Sequence, residues 1–331
     1  MIKHLKVPDN RAQEAKLFLE ESKALHDSFL PIKKKGYILW PLKFVVDGEI
    51  VECEGIKSTR ISRDYRLRLS EEIRNIAPRA FDIFGDIAIL KLSEEALQYS
   101  KNISEALLES HTNIKKIALD LGVKGDFRVR DLEMIIGDDN FVSTHKENGF
   151  EFNLDISKVY FSPRLAMERK RVYDDAKSGE YVLDAFAGAS PFAVTLASKG
   201  CKVTAVDWNP ESERWSHKNF KLNNISESDY DFFCSKIEDI LTELSLYDRI
   251  IMNNPTNPLP YLKDLSTKLK PEGVIHLYKI VDNDENFQIS DYLDLSYKCI
   301  LERVVHPYSP MSSLMVFDII KSVSNVQTTN Q

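Results

Sequence analysis

The sequence predicts an α/β protein with three parts. A Rossmann-like C-terminal domain, residues 158–331, is preceded by a mixed α+β domain, 51–157, and a small N-terminal module, 1–50. Two observations predict the Rossmann-like domain. Strand patterns alternate with helix patterns from YVLDAF at 181–186 to GVIHLYKIV at 273–281, as in a doubly wound parallel sheet. Two successive strands also end in aspartates, Asp184 and Asp207, at the edge where such sheets bind ligands.

The segments before residue 158 show less regular alternation. Apolar spacing predicts a helix over residues 9–26 and a short strand at 37–42. A strand is expected at Ile87–Leu92, followed by a helix with Ser93 at its N-cap. The stretches DFRVRDLEMIIG and GFEFNLDI alternate as strands do, and the tail CILERVVHPYSPMSSLMVFDIIKS predicts two strands around a proline-rich turn. The final residues, SNVQTTNQ, are polar and are predicted to be disordered.

Composition excludes some classes of function. No apolar run reaches the roughly 18 residues that span a bilayer, and the first residues lack the apolar core of a secretion signal, so a cytoplasmic protein is expected. The four cysteines are far apart and predict no metal site. A net charge of −7 argues mildly against a nucleic-acid partner, although basic residues form two local clusters. These are Lys57, Arg60, Arg63, Arg66, Arg68 and Arg74, and Arg164, Arg169, Lys170 and Arg171, either of which could be a solvated helix face.

The loop after the strand at 181–186 predicts a cofactor site. A strand, a tight loop around Gly188 and a helix would place backbone N–H groups at the sheet edge, and Asp207 could bind both hydroxyls of a ribose. The loop lacks the G-x-G-x-x-G pattern, and Asp184 would repel a pyrophosphate but suit a sulfonium or an amino group. Together with Asn253-Asn254-Pro255 after a later strand, this resembles the class I methyltransferase pattern and indicates S-adenosylmethionine rather than a dinucleotide. The predicted cofactor-binding residues are Asp184, Phe186, Ala187, Gly188, Asp207, Trp208, Ile237, Glu238 and Asn253.

Four motifs extend this resemblance to one family. They are HKENG at His145–Gly149, the run Asp155–Arg169 with FSPRLAMER, the run Asp184–Phe192, and Asn253–Pro255, followed by a tail at Val305–Pro310. Their order and spacing closely resemble the archaeal and eukaryotic tRNA guanine-37 N1-methyltransferases over nearly the whole chain. The resemblance implies methyl transfer from S-adenosylmethionine to N1 of the guanosine at tRNA position 37, by a monomer, with the N-terminal module recognising tRNA.

The resemblance also implies roles for individual residues. Guanine N1 carries a proton at neutral pH, so the reaction needs a base near N1 and a cation near O6. Glu168 is the expected base and Arg128 the expected cation, with Arg130 as the alternative, because strand alternation would put both arginines on one face. Asn253 and Pro255 would contact the guanine, Tyr160 would stack on it or pack in the core, and Arg130, Arg164 and Arg169 would contact tRNA. Glu168 could instead pair with Arg164 or Arg171 along its helix.

Two departures from the family pattern keep other functions open. Ser190 stands where a second glycine is usual, and a positive φ there would cost about 1 kcal/mol. Asn254 replaces a leucine in the N-L-P element and adds a polar group to the target pocket. The alternatives are an aminocarboxypropyl transferase of the wybutosine pathway, methylation of a tricyclic guanosine at the same position, and a tRNA-binding protein with impaired catalysis. An adenine-N6 or cytosine methyltransferase fits poorly, because the second proline and the aromatic residue of N-P-P-Y are missing.

Overall fold

The computed structural model describes residues 1–26, 28–57 and 64–322. Arg60 and Arg63 of the first basic cluster, and the polar end at 324–331, lie outside the described residues. The chain forms two compact units, residues 1–69 with 109–111, and residues 70–108 with 112–331. Within the described part of the chain, no helix has the length and apolar character needed to cross a bilayer.

The first unit is a small sheet with one helix. Its strands are β1 (Ile2–Pro8), β2 (Phe29–Leu30), β3 (Ile32–Lys34), β4 (Tyr37–Pro41), β5 (Glu49–Cys53) and β6 (Ile56–Lys57), and its helix is α1 (Ala12–Glu21). The order in the main sheet is β3-β4-β1-β5. The helix and β4 confirm the patterns predicted at 9–26 and 37–42, although α1 is shorter than predicted at both ends. Leu19 of α1 is fully buried against Leu5 and Trp40 of the sheet, which gives this unit its own core.

The second unit begins with a four-stranded sheet, a hairpin and three helices. The strands are β7 (Asp82–Phe84), β8 (Ile87–Leu90), β9 (Lys116–Lys124) and β10 (Val129–Ile136), in the order β10-β9-β8-β7, followed by the hairpin of β11 (Val142–Glu147) and β12 (Phe150–Asp155). The helices are α2 (Glu71–Ile76), α3 (Glu94–Leu97) and α4 (Ser100–Ser110). The predicted strand at Ile87–Leu92 is confirmed as β8. Ser93 does occupy the N-cap of α3, but its side chain makes no capping hydrogen bond.

A seven-stranded sheet forms the rest of this unit. Its strands are β13 (Tyr181–Asp184), β14 (Lys202–Asp207), β15 (Tyr230–Cys234), β16 (Tyr247–Met252), β17 (Leu269–Asp282), β18 (Tyr297–Ser309) and β19 (Ser312–Lys321). The helices are α5 (Ala166–Asp175), α6 (Pro191–Ser198), α7 (Pro210–Leu222) and α8 (Leu259–Ser266). The order is β15-β14-β13-β16-β17-β19-β18, parallel from β15 to β17 and antiparallel for the last two pairs.

This topology fixes where a ligand can bind. Successive residues of the central strands bury opposite faces of the sheet: Val182 and Ala205 join one core cluster, whereas Leu183 and Val206 join the other. Helices therefore cover both faces, which confirms the predicted doubly wound sheet. The strand order reverses between β13 and β16, and open α/β sheets bind ligands outside the carboxyl ends of the strands at such a point.

Candidate active site

A cavity of about 570 Å³ opens at this reversal of strand order. The loops after β13, β14 and β16 line it, together with the turn between β9 and β10. Phe186 and Ala187 follow β13, Trp208 follows β14, and Asn253 and Pro255 follow β16. The structure thus brings most of the residues predicted for cofactor and target into one space.

The loop after β13 is held in a left-handed conformation at two positions. Gly188 has φ +55°, and a Cβ added there would lie 3.2 Å from the carbonyl oxygen of Tyr160, so a side chain would be both strained and crowded. Ser190, the predicted departure, has φ +61° just before α6. Its hydroxyl donates to Ser216 Oγ at 2.7 Å, and Ser216 donates to the Gly188 carbonyl at 3.1 Å. These hydrogen bonds offset part of the backbone strain.

Asp184 is a buried carboxylate, and neither of its oxygens accepts a hydrogen bond of normal length and angle from the described residues, although the backbone N–H groups of Ala193 and Phe186 are near enough to act on it. Burial raises its pKa to about 7; the backbone N–H of Ala193 opposes that rise and the nearby Asp207 carboxylate adds to it. The side-chain oxygen of Asn253, at the end of the adjacent strand β16, is also buried without a partner. Buried polar groups are nearly always paired, so these atoms indicate a ligand with hydrogen-bond donors, and an ammonium group fits them.

Asp207 ends β14 with both oxygens already engaged. Oδ2 accepts a hydrogen bond from the backbone N–H of Gly188 at 2.8 Å, and Oδ1 accepts one from Asn209 at 2.9 Å. Burial raises the pKa of this carboxyl, and the two backbone donors oppose the rise. Each carboxylate oxygen can accept a second hydrogen bond, so Asp207, which lines the cavity, can still bind vicinal hydroxyls.

Aromatic and apolar groups continue the cavity beyond Asp207. The ring of Trp208 contacts Phe127 at 4.8 Å between centroids, and the ammonium of Lys236 lies 5.1 Å from the Trp208 ring. Ile237 is buried, and it lines the cavity together with Glu238; both are among the residues predicted to bind the cofactor. Phe127 and Lys236 were not predicted from the sequence, because neither belongs to a motif.

The target side of the cavity separates the two candidate arginines. Arg128 is exposed, lines the cavity, and makes no ion pair from its guanidinium to any residue that the structure describes. Arg130 lies outside the cavity lining and is 11% exposed, with ion pairs to Asp82 at 3.0 Å and Asp120 at 3.2 Å. The expectation that both share a strand face was wrong: β10 begins at Val129, and Arg128 lies in the turn with φ +50°.

Three further predicted residues occupy different environments. Tyr160 lines the cavity with 46% of its surface exposed. Arg164 is half exposed and pairs with Asp82 at 2.7 Å, so it can still reach a nucleic acid. Arg169 is 1% exposed and forms a two-point ion pair with Glu147. Burial alone would raise the pKa of Glu147, but His145 and Arg169 hold that pKa below its ordinary value.

Glu168 is the one predicted catalytic residue that the cavity lining does not include. Its side chain is 2% exposed, and Oε2 accepts hydrogen bonds from Arg171 Nε at 3.0 Å and from the Tyr278 hydroxyl at 3.3 Å. Oε1 pairs with the guanidinium of Arg303. The helix pairing considered as an alternative is present with Arg171, whereas Arg164 pairs with Asp82 instead. The role of Glu168 as base stays a prediction.

The fold and the site define a class I methyltransferase-like protein, with a Rossmann-like sheet, an acidic residue at the end of each of its first two strands and an Asn-x-Pro element after the fourth. Comparison with known proteins gives the family. Residues 143–313 match the TRM5/TYW2 methyltransferase domain, and residues 65–140 match the TYW2 N-terminal domain. The chain belongs to the TRM5/TYW2 methyltransferase family.

Relatives match over nearly the whole chain. The tRNA (guanine(37)-N(1))-methyltransferase Trm5b of Pyrococcus abyssi is 33% identical over 327 residues, which cover 95% of this chain and 97% of the relative. Its crystal structure covers 98% of this chain and 100% of its own with a TM-score of 0.76 at 32% identity. The complex of aTrm5 with tRNALeu has a TM-score of 0.71 at 28% identity, covering 97% and 99%. The structure of Trm5 from Methanocaldococcus jannaschii in complex with adenosine has a TM-score of 0.67 at 25% identity. It covers 97% of this chain and 99% of its own.

Proposed function

We propose that this chain transfers a methyl group from S-adenosylmethionine to N1 of the guanosine at position 37 of tRNA. The observation that carries the proposal is one cavity that joins two kinds of group. Asn253 on the cavity wall offers a buried acceptor without a hydrogen-bond partner among the described residues, and Asp184 offers buried acceptors at the end of β13, directly before the lining residue Ala185. Arg128, also on the wall, offers a cation without an ion pair among the described residues. The relatives bearing the name tRNA (guanine(37)-N(1))-methyltransferase, and the one in complex with tRNALeu, support the choice of substrate.

The residues present fit S-adenosylmethionine. Asp184 and Asn253 would hold its amino group, because an ammonium would complete the hydrogen bonds that these buried oxygens lack. Asp207 would hold the ribose hydroxyls, and Ile237 and Glu238 would border the adenine. When bound, the sulfonium of this cofactor supplies an electrophilic methyl group. The adenosine complex of the M. jannaschii relative supports the assignment.

The protein's own groups would prepare guanine for attack. Arg128 in the turn between β9 and β10 would place a guanidinium beside O6, where negative charge develops as the N1 proton leaves. Asn253 would hydrogen-bond the edge of the base, and Pro255 would form a wall whose position is fixed by the hydrogen bond from Ile280 N–H to its carbonyl at 2.9 Å. Glu168 would accept the N1 proton. Arg164 and residues 1–50 would contact the tRNA outside the cavity.

The test is methyl transfer from labelled S-adenosylmethionine to two unmodified transcripts of one tRNA, with guanosine or adenosine at position 37. Label on the guanosine transcript alone is the expected result. Label on both transcripts would point to another nucleotide as the target. No label on either transcript, with S-adenosylmethionine binding intact by calorimetry, would contradict the proposed reaction.

A further inference from the structure

The two oxygens of the Glu168 carboxylate are held in different ways. Oε2 lies against groups of the protein interior, Arg171 on its own helix α5 and Tyr278 on β17. Oε1 pairs with Arg303 on β18, which is 135 residues away in sequence. An oxygen held by a guanidinium is a poor proton acceptor, because protonation would sacrifice the charge-assisted hydrogen bond.

Arg171 is fixed in place by a buried network. Its guanidinium donates to both oxygens of Asp318 on β19, at 2.6 and 3.2 Å, and Asp318 also pairs with the buried His276 of β17 at 2.6 Å. Burial alone would raise the pKa of Asp318, but His276 and Arg171 hold it below its ordinary value, so this carboxylate stays charged. The Asp318 carboxylate therefore balances the charge of Arg171 and holds its guanidinium in place, so Arg171 stays paired with Glu168.

Arg303 lacks such an anchor. Its side chain is 43% exposed, and Glu168 is its one ion-pair partner in the described part of the chain. The strand that carries it, β18, also carries Tyr308, which lines the cavity. Arg303 therefore lies on a strand that borders the cavity in which the target base of an RNA would bind. A phosphate there can take a guanidinium with two parallel hydrogen bonds.

We propose that Arg303 is a latch on the proposed base, and this inference rests on the function proposed above. In the free protein Arg303 occupies Oε1 of Glu168; when RNA binds, Arg303 moves to a backbone phosphate and leaves Oε1 free. Oε2 stays on Arg171 and Tyr278, so the carboxylate keeps one anchored oxygen and presents the other. The proton then passes from guanine N1 to Oε1: the N–H bond breaks, an O–H bond forms, and the electron pair remains on N1.

The latch predicts a difference between two pH profiles of the Arg303→Gln variant. The profile of kcat/KM reports the free enzyme, and that of the single-turnover rate at saturating tRNA reports the bound complex. Loss of the Arg303 cation makes Glu168 easier to protonate in the free enzyme. The half-maximal pH on the acid side of the kcat/KM profile should therefore rise by about one pH unit or more. The acid side of the single-turnover profile should stay where it is in the wild type, because Arg303 has already left Glu168 there.

Two further variants complete the experiment. Lys298→Gln removes one positive charge from the exposed surface of the same strand and should move neither profile. Arg303→Lys keeps the charge and should leave the kcat/KM profile close to that of the wild type, which would attribute the shift in Arg303→Gln to the lost charge. The salt dependence of tRNA binding should lose about one phosphate contact in Arg303→Gln and not in Arg303→Lys.

Two outcomes would overturn the latch. If both profiles of Arg303→Gln move together, Arg303 stays on Glu168 in the complex and is a static support. If neither moves, Arg303 does not control the base. Failure of the proposed function has a different signature, since the wild-type protein itself would then transfer no methyl group to the guanosine transcript.

Discussion

Asp184 offers the sharpest test of the cofactor site, because its charge in the free protein depends on pH within the working range. The carboxylate is buried, neither oxygen accepts a hydrogen bond of normal geometry from the described residues, and burial raises its pKa to about 7. An ammonium group binds well only to the ionised form. Below pH 7 the bound cofactor must therefore expel a proton from Asp184, and its affinity must fall as the pH falls.

The size of the effect follows from the pKa. With a pKa of about 7, half of the Asp184 carboxyls are ionised at pH 7 and about one in a hundred at pH 5. The dissociation constant of S-adenosylmethionine should thus rise roughly 50-fold between pH 7 and pH 5, which corresponds to about 2.3 kcal/mol of binding free energy. The α-amino group of the ligand remains protonated throughout this range, because its ordinary pKa is about 8.

Isothermal titration calorimetry at pH 5, 6 and 7 measures this change. Repeating the pH 5 titration in two buffers of different ionisation enthalpy should reveal the release of about one proton per ligand. The Asp184→Asn variant keeps the shape of the side chain but cannot titrate, so its affinity should be weak and nearly independent of pH. A wild-type affinity that is flat from pH 7 to pH 5, in protein that circular dichroism shows to be folded, would refute the reasoning.

Five other variants at four positions test neighbouring parts of the site. Ser190→Gly relieves the strain of the φ of +61° but loses the hydrogen bond to Ser216, so the free energy of unfolding measured in urea should change by less than about 1 kcal/mol. Ser190→Ala keeps the strain and loses the hydrogen bond, so its free energy of unfolding should fall by about 1 kcal/mol. Full stability in the alanine variant would contradict this account. Arg128→Gln should lower the single-turnover rate roughly 10²-fold with an unchanged melting temperature. Arg130→Gln removes the cation that Asp82 and Asp120 share, so it should mainly lower the melting temperature. The reverse pattern would exchange the roles of the two arginines. Asp207→Ala should raise the dissociation constant of S-adenosylmethionine more than tenfold by calorimetry, and an unchanged value would mean that the ribose lies elsewhere.

The sequence predicted the cofactor side of the site well, for a physical reason. Residues that follow parallel strands must meet at one edge of the sheet, so Asp184, Asp207 and Asn253 could be placed together from strand patterns alone. A positive φ at Ser190 could also be considered, because Ser190 stands where the family pattern usually has a glycine. Strand β15 was missed, since its sequence YDFFC is short and lacks clear alternation.

Pairings between distant residues could not be predicted in the same way. Arg169 on helix α5 reaches Glu147 in the hairpin of β11 and β12, and Glu168 reaches Arg303 across 135 positions; no local periodicity specifies either contact. Arg128 and Arg130 could not be separated, because the argument from alternation fails where a strand gives way to a turn. The roles of charged residues are the hardest to predict from sequence, because the same side chain can form either a salt bridge or a substrate contact.

The chemical position of the transferred group tests the central claim most directly. Guanosine-37 transcripts treated with the wild-type protein and S-adenosylmethionine would be digested to nucleosides and analysed by chromatography and mass spectrometry. The proposed roles of Arg128 at O6 and of Glu168 at N1 predict 1-methylguanosine as the product. A guanosine methylated at the exocyclic amino group, or one carrying an aminocarboxypropyl group instead of a methyl group, would contradict it.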